Sequence, residues 1–118
     1  MQDFKDLKVW QKAHTLVLEI YKASAEFPKE EIYGLTSQIR RAAMSIPANI
    51  AEGRGRAVDG DLRRFIQIAL GSASELEYHL ILSKDLHYLD EQTTEKLTTQ
   101  LPEIRRMLIS FVQVLKKP

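Results

Sequence analysis

The side chains best placed to do chemistry in this chain form a polar stripe that repeats at helical spacing. Its members follow one another at steps of three or four residues: Gln38, Arg41, Ser45, Asn49 and Glu52. Residues at this spacing share one face of a helix. An apolar stripe runs beside it with the same spacing, made of Leu35, Ile39, Ala42, Ile46 and Ile50. The polar stripe is therefore predicted to lie at the edge of a core, where an unpaired buried donor costs roughly 1–3 kcal/mol.

Glu75 is the predicted partner of this stripe, because it flanks the apolar face of a later helix. A bidentate pair between Arg41 and Glu75 would fix the register of the two helices. It would add little net stability, since desolvation offsets much of the attraction in a buried ion pair. Removing Glu75 would leave Arg41 uncompensated, with a predicted loss of several kcal/mol. The alternative is that the stripe is one wall of a solvent-exposed face.

A second group of polar residues is basic and lies mainly in and after the segment GRGRAVDGD. Its members are Arg54, Arg56, Arg63 and Arg64, with Arg40 on the preceding helix. Asp59, Asp61 and Glu52 balance only part of this charge. One interpretation is a patch that binds nucleic-acid phosphates. The other is a solvated loop of mixed charge.

The residue patterns of the common catalytic and metal sites are missing from the sequence. The histidines are His14, His79 and His87, and there is no cysteine. Glu75 precedes His79 by four positions, whereas di-iron bundles use paired Glu-x-x-His motifs. Neither a GxxxxGK phosphate loop nor a GxSxG elbow occurs. We therefore expect no catalytic residues, no metal, no cofactor and no small-molecule substrate.

Four stretches of helical periodicity must position these residues. We predict one domain over residues 1–118, an all-α, up-down-up-down four-helix bundle with long antiparallel helices. The predicted helices cover about residues 7–26, 35–53, 61–87 and 91–116. The candidate caps are Thr36 or Ser37 for the second helix, Asp59 or Asp61 for the third and Asp90 for the fourth.

Three places in these helices depart from simple periodicity. Pro47 predicts a kink in the second helix, with Ser45 and Asn49 satisfying freed backbone groups, or a fresh helix start capped by Ser45. Pro102 predicts a kink in the fourth helix or a restart from Thr98 or Thr99. The small residues 71–74 predict either a close approach of a neighbouring helix, which the unbroken periodicity on both sides favours, or a weak point in the helix.

The composition is that of an ordinary globular protein. The 118 residues include 44% hydrophobic and 28% charged residues, with a net charge of +1, so net charge alone predicts no partner. The first 14 residues contain no continuous apolar run, so we expect neither a signal peptide nor a membrane span, and a cytoplasmic location.

After Pro102, apolar residues cover more of the fourth helix than one bundle can bury, and Trp10 and Tyr21 widen the apolar stripe of the first helix. This excess predicts a homo-oligomer.

Three segments carry a family resemblance: FKDLKVWQKA, FPKEEIYGLTSQIRRAAMSIPANIAEGRGR and RFIQIALGSASELEYHL. They resemble the bacterial four-helix-bundle family encoded in intervening sequences of large-subunit ribosomal RNA genes. The most specific part is the polar stripe with Gly53, followed by Gly71, Ser72 and Glu75. The resemblance implies a protein without assigned enzymatic activity. More distantly, the family is similar to the accessory protein of diversity-generating retroelements, which implies a pentamer and a nucleic-acid partner.

Together these features predict a non-enzymatic, oligomeric bundle that binds the backbone of RNA or DNA through Arg40, Arg54, Arg56, Arg63 and Arg64. In the alternative, the chain is a structural or protein-interaction module with no nucleic-acid role. The placement of the arginines discriminates the two, because convergence on one surface favours nucleic acid and scattering favours the interaction module.

Overall fold

Five α-helices account for most of the described chain, residues 3–115 of a computed structural model. They are α1 (Lys8–Ser24), α2 (Leu35–Arg54), α3 (Asp59–Asp85), α4 (Glu91–Thr98) and α5 (Leu101–Val114). Single 3₁₀ turns at Phe4–Asp6 and Lys29–Glu31 precede α1 and α2. Helices α4 and α5 together form one bent fourth helix, and residues 3–115 contain no strand. The predicted all-α four-helix bundle is confirmed.

The core is built from the apolar stripes of all four helices. Its large, fully buried side chains are Leu16, Ile20, Ile39, Ile46, Ile50, Ile66, Leu76, Leu80, Leu97, Leu101, Ile104 and Leu108. The bundle is elongated, with a longest dimension of 43 Å. Because α1 and α2 run antiparallel, one end of the bundle carries the start of α1 and the end of α2. The other end carries the end of α1 and the start of α2.

Helices α2 and α3 approach each other closely at Gly53. A Cβ added there would lie 2.9 Å from the side chains of Leu62 and Phe65. The sequence predicts the close approach at residues 71–74 instead, and this is wrong for Gly71, which is exposed and would meet no atom within 4 Å. Ser72 and Ala73 are the residues of that segment that are buried.

Pro47 does not start a new helix, because α2 runs without interruption from Leu35 to Arg54. The proline is buried inside the helix. The amide of Asn49 donates to the carbonyl oxygen of Ser45 at 2.7 Å. Pro47 has no N–H, so the carbonyl that lacks its helical donor is that of Ala43, four residues earlier. The Asn49 side chain therefore does not satisfy that carbonyl.

Pro102 marks a break in the fourth helix, which restarts after Gln100 rather than from Thr98 or Thr99 as predicted. Helix α4 ends at Thr98, and α5 begins at Leu101 with the proline in its first turn, where the missing N–H needs no helical acceptor. The side-chain Nε2 of Gln100, between the two helices, donates to the Glu19 carboxylate of α1 at 2.6 Å. The break is therefore fastened to the first helix.

The helix caps differ from the sequence-based expectation in two of three cases. Asp90 caps α4 as predicted and accepts from the Thr93 amide at 2.7 Å. Helix α2 is preceded by Gly34, and its Leu35 amide donates to the side chain of Glu31 at 3.0 Å, so neither Thr36 nor Ser37 caps it. Helix α3 begins after Val58 without a side-chain cap, and Asp59 and Asp61 lie in its first turn. Acidic residues there still suit the helix dipole.

Candidate functional site

Arg41 and Glu75 meet across the α2–α3 interface. Nη2 of Arg41 donates to Oε2 of Glu75 at 2.9 Å, and the guanidinium also contacts Oε1 of Gln38 at 3.1 and 3.4 Å. The ion pair uses one guanidinium nitrogen, so the bidentate geometry is wrong. The side chains remain 59% and 37% exposed, so water screens the pair. The predicted loss of several kcal/mol on removing Glu75 is therefore too large.

His79 is buried beside this pair, at the edge of the core. Its Nε2 lies 3.7 Å from Oε2 of Glu75, and its buried Nδ1 has no hydrogen-bond partner within residues 3–115. Burial lowers the pKa of His79 below its ordinary value of 6.5, Glu75 opposes that shift, and Arg41 adds to it. The neutral imidazole is therefore the form that the fold favours.

The centre of the polar stripe forms a short chain of hydrogen bonds. Asn49 donates to the Ser45 hydroxyl at 2.9 Å, and the Ser72 hydroxyl of α3 lies 2.7 Å from it. All three side chains are at least partly buried. The predicted need for partners on an adjacent helix is thus met by Ser72, which the sequence analysis did not pair with Ser45.

The end of α2 and the start of α3 hold two arginines against one aromatic ring. The guanidinium carbons of Arg56 and Arg64 lie 5.0 and 4.9 Å from the centre of the Phe65 ring, which fits cation–π contacts. Arg56 also pairs with Glu52 at 2.9 Å, so the last residue of the polar stripe contacts the basic group. We call Arg56 and Arg64 the arginine pair. Only these two of the five candidate arginines come together on an exposed surface.

Arg40 lies away from the arginine pair, against the last turns of α1. Its Nε donates to the Ser24 hydroxyl at 2.8 Å, and its guanidinium lies 4.5 Å from the centre of the Tyr21 ring. Tyr21 in turn contacts the sulfur of Met44 through its hydroxyl at 3.2 Å. Arg40 therefore fastens α2 to α1.

Arg54 and Arg63 are turned toward α5 rather than toward the arginine pair. Nη1 of Arg63 donates to the carbonyl oxygen of Val112 at 2.8 Å, in the last turn of α5. Nε of Arg54 is buried and has no hydrogen-bond partner among the described residues. The five arginines are thus divided among three locations. Substituting Arg63 would remove a tertiary hydrogen bond, so it is unsuitable as a purely surface substitution.

An open apolar groove of about 370 Å³ lies between the start of α1 and the end of α5. We call it the α1–α5 groove, and it is lined by Leu7, Lys8, Val9, Arg54, Met107, Ser110, Phe111 and Val114. Val114 is 80% exposed, and Met107 and Phe111 are half-buried. Among the described residues that line it, two carry cationic side chains and none carries a carboxylate.

The aromatic residues of α1 are better covered than the end of α5. Trp10 stacks on His14 and meets Phe4 edge-on, with ring centres 5.1 Å apart in both contacts. Tyr21 is covered in part by Arg40. Both helices keep some exposed apolar surface, at Leu18 and Tyr21 of α1 and at Ile109 and Val114 of α5, and Val114 is the most exposed of these.

A further link between helices joins α5 to α3 and was not predicted from the sequence. Arg105 of α5 pairs with Glu77 of α3 and also contacts the carbonyl oxygen of Ala73. Both charged residues flank their apolar stripes, which is the signal that could have suggested the pair.

Within the described part of the chain, no group of histidines and carboxylates is arranged to hold a metal ion. None of the described helices is long and apolar enough to cross a membrane.

Comparisons with known proteins identify the family. No curated protein matches the chain. A solved structure from Bacteroides thetaiotaomicron, described as a protein with unknown function from the S23 ribosomal protein family, matches with a TM-score of 0.79 and 28% identity. The match covers 90% of this chain and 99% of that one. The similarity to the retroelement accessory protein stays a prediction. The model of the 23S rRNA-intervening sequence protein family matches residues 5–110, so the chain belongs to that family.

Proposed function

We propose that this protein is a non-enzymatic module that associates with copies of itself. The α1–α5 groove carries this proposal, because Val114 is exposed there and Met107 and Phe111, which pack in part against the core, keep some of their surface open in it. Contiguous apolar surface of this kind, bordered by polar residues, is typical of protein interaction sites. The family resemblance supports a pentamer, and a contact between unlike surfaces that closes on itself makes such a ring.

Light scattering coupled to gel filtration tests self-association. At micromolar concentration we expect a mass that is a multiple of the 13.6 kDa chain, falling toward 13.6 kDa on dilution. Val114→Asp places a charge in the groove at an exposed position and should reduce the mass without changing helical content. Leu18→Asp, on an exposed part of α1, is the matched control and should leave the mass unchanged. A monomer at every concentration would refute the proposal.

A second candidate function is binding to nucleic-acid backbone, and the arginine pair is the observation that favours it. Arg64 is exposed and has no carboxylate partner within residues 3–115, so its guanidinium is free to contact a phosphate. One pair of arginines makes a weak site. Self-association would repeat it around an axis, and linked weak sites gain affinity without new contacts.

Mobility-shift titration against structured RNA, duplex DNA and single-stranded DNA tests this second function. We expect weak sequence preference and a steep loss of affinity with salt, because phosphate contacts release counterions. Changing Arg56 and Arg64 to Gln should abolish binding. The control changes Lys22 and Arg106 to Gln, which removes the same charge from exposed positions elsewhere. Equal binding by the two double variants would refute a role for the arginine pair.

A further inference from the structure

The connection between α1 and α2 displays two large apolar side chains at the end of the bundle. Tyr33 is 94% exposed and Ile32 is 55% exposed. Glu30 is exposed just before them. We call Ile32 and Tyr33 the Tyr33 knob. An exposed tyrosine is among the residues most enriched in the centres of protein interfaces.

The Tyr33 knob is held by Glu31, whose carboxylate bonds in two directions. Its Oε1 accepts from the Leu35 amide at 3.0 Å, and its Oε2 accepts from the Tyr88 hydroxyl at 2.9 Å. The hydrogen bond from the Leu35 amide lowers the pKa of Glu31 most, and the bond from the Tyr88 hydroxyl lowers it further. They also fasten the connection to the first turn of α2 and to the segment after α3. A knob fixed in this way loses less conformational entropy on binding than a free loop does.

The α1–α5 groove has the complementary character at the opposite end. Its floor is apolar, and Lys8 and Arg54 supply its charge. The buried Nε of Arg54 still lacks a hydrogen-bond acceptor within the described chain. The knob offers an aromatic ring with a phenolic oxygen and an adjacent carboxylate at Glu30. The two ends are therefore complementary in polarity, and Glu30 of the knob can pair with the cations of the groove, although Lys29 is exposed beside it.

We propose that the Tyr33 knob of one chain occupies the α1–α5 groove of a second copy, so that copies join head to tail. This inference rests on the proposed self-association and names the surfaces that would carry it. The knob cannot reach the groove of its own chain. Tyr33 precedes α2 and Arg54 ends it, and a helix of 20 residues separates its ends by about 30 Å.

Two unlike surfaces on one chain give a specific kind of assembly. Each copy offers one knob and one groove, so every addition leaves one of each open until the chain of copies closes. The contact also predicts a defined electrostatic pairing of Lys8 with Glu30 of the neighbour. Charges at the rim of an interface act mainly on the rate of association and on its salt dependence.

Variants that disable one surface at a time test the contact. Tyr33→Ser removes the knob and Val114→Asp disables the groove, both at exposed positions where the fold does not depend on the side chain. We expect each variant to raise the dissociation constant by roughly 30-fold or more, the loss typical of a central interface residue. Sedimentation velocity measures it. Tyr78→Ser, a tyrosine exposed on α3, is the control for the knob and should assemble like the parent.

Mixing the two variants gives a sharper result. The Tyr33→Ser chain keeps its groove and the Val114→Asp chain keeps its knob, so a mixture should form dimers of one copy of each. Neither variant alone should do so at the same concentration. A mixture that stays monomeric would overturn the proposal.

The outcomes separate this inference from the self-association on which it rests. A parent that assembles while Tyr33→Ser assembles equally well overturns the knob contact and leaves self-association standing. A parent that never assembles overturns both. Charge exchange gives an independent check: Lys8→Glu and Glu30→Lys should each slow association, and the chain with both changes should recover it. Failure of the double change to recover association argues against the head-to-tail contact.

Discussion

The ion pair between Arg41 and Glu75 makes the sharpest prediction about stability. Its geometry is good, with a 2.9 Å contact, but both side chains keep a large share of their contact with water. Exposed pairs of this kind contribute about 0.2–1 kcal/mol in double-mutant cycles. Gln38 also remains beside the guanidinium when Glu75 is removed. We therefore expect a coupling energy of at most about 1 kcal/mol.

A double-mutant cycle measures this energy directly. The parent, Arg41→Gln, Glu75→Gln and the double variant are unfolded with urea at low and high salt. The coupling should shrink at high salt, because the screening length falls to about 3 Å at 1 M. The pair between Lys12 and Glu103 has similar exposure and a 3.1 Å contact, so its cycle provides the control.

Two results would contradict this reasoning. A coupling energy above about 2 kcal/mol would show that the pair is desolvated in solution, since exposed pairs do not reach that value. That outcome would place the α2–α3 face inside an assembly. A coupling that does not change with salt would point the same way. Running the cycle in the Val114→Asp background, which should be monomeric, separates the two states.

Three further predictions follow from single positions. Gly53→Ala should destabilise the fold by about 1–3 kcal/mol through overpacking. Gly71→Ala should be neutral or stabilising by up to about 1 kcal/mol, because no atom lies near the added Cβ. Equal midpoints of the two variants in chemical denaturation would contradict this contrast. Arg63→Gln should lower stability by about 1–2 kcal/mol through its lost bond to α5, while Arg64→Gln should change it by less than about 0.5 kcal/mol. Burial lowers the pKa of His79 in the folded state, so its contribution to stability is fully present above pH 6.5 and is lost as the pH falls toward the folded pKa. His79→Gln should therefore flatten that part of a curve of unfolding free energy against pH.

The sequence alone determined the helical architecture, because helical periodicity depends on residue order and needs no knowledge of neighbours. The apolar stripe of α2 is buried as its spacing predicts, from Leu35 to Ile50. Asp90 caps α4, and Pro102 breaks the fourth helix, since both act on their own backbone. The local chemistry was thus readable at Asp90 and Pro102, but not at the starts of α2 and α3, where the predicted caps are not formed.

The Arg41–Glu75 contact was predicted from the two helical stripes, but tertiary structure alone decided what the arginines of the basic group contact. Three of these arginines lie away from the arginine pair in the folded chain. Arg40 contacts α1, and Arg54 and Arg63 lie against α5. The long side chain of arginine reaches acceptors that no spacing rule identifies. The same holds for Gly53, whose role depends on how closely α3 approaches.

The exposure of the Arg41–Glu75 pair was likewise decided by packing rather than by order. A stripe at the edge of a core can face a neighbouring helix or water, and helical spacing does not distinguish the two. In the folded chain Ser45 and Asn49 are partly buried against α3, while Arg41 lies a little further around α2 and stays in contact with solvent. Residue order determined the stripe, and the packing of α3 against α2 determined which of its members lost water.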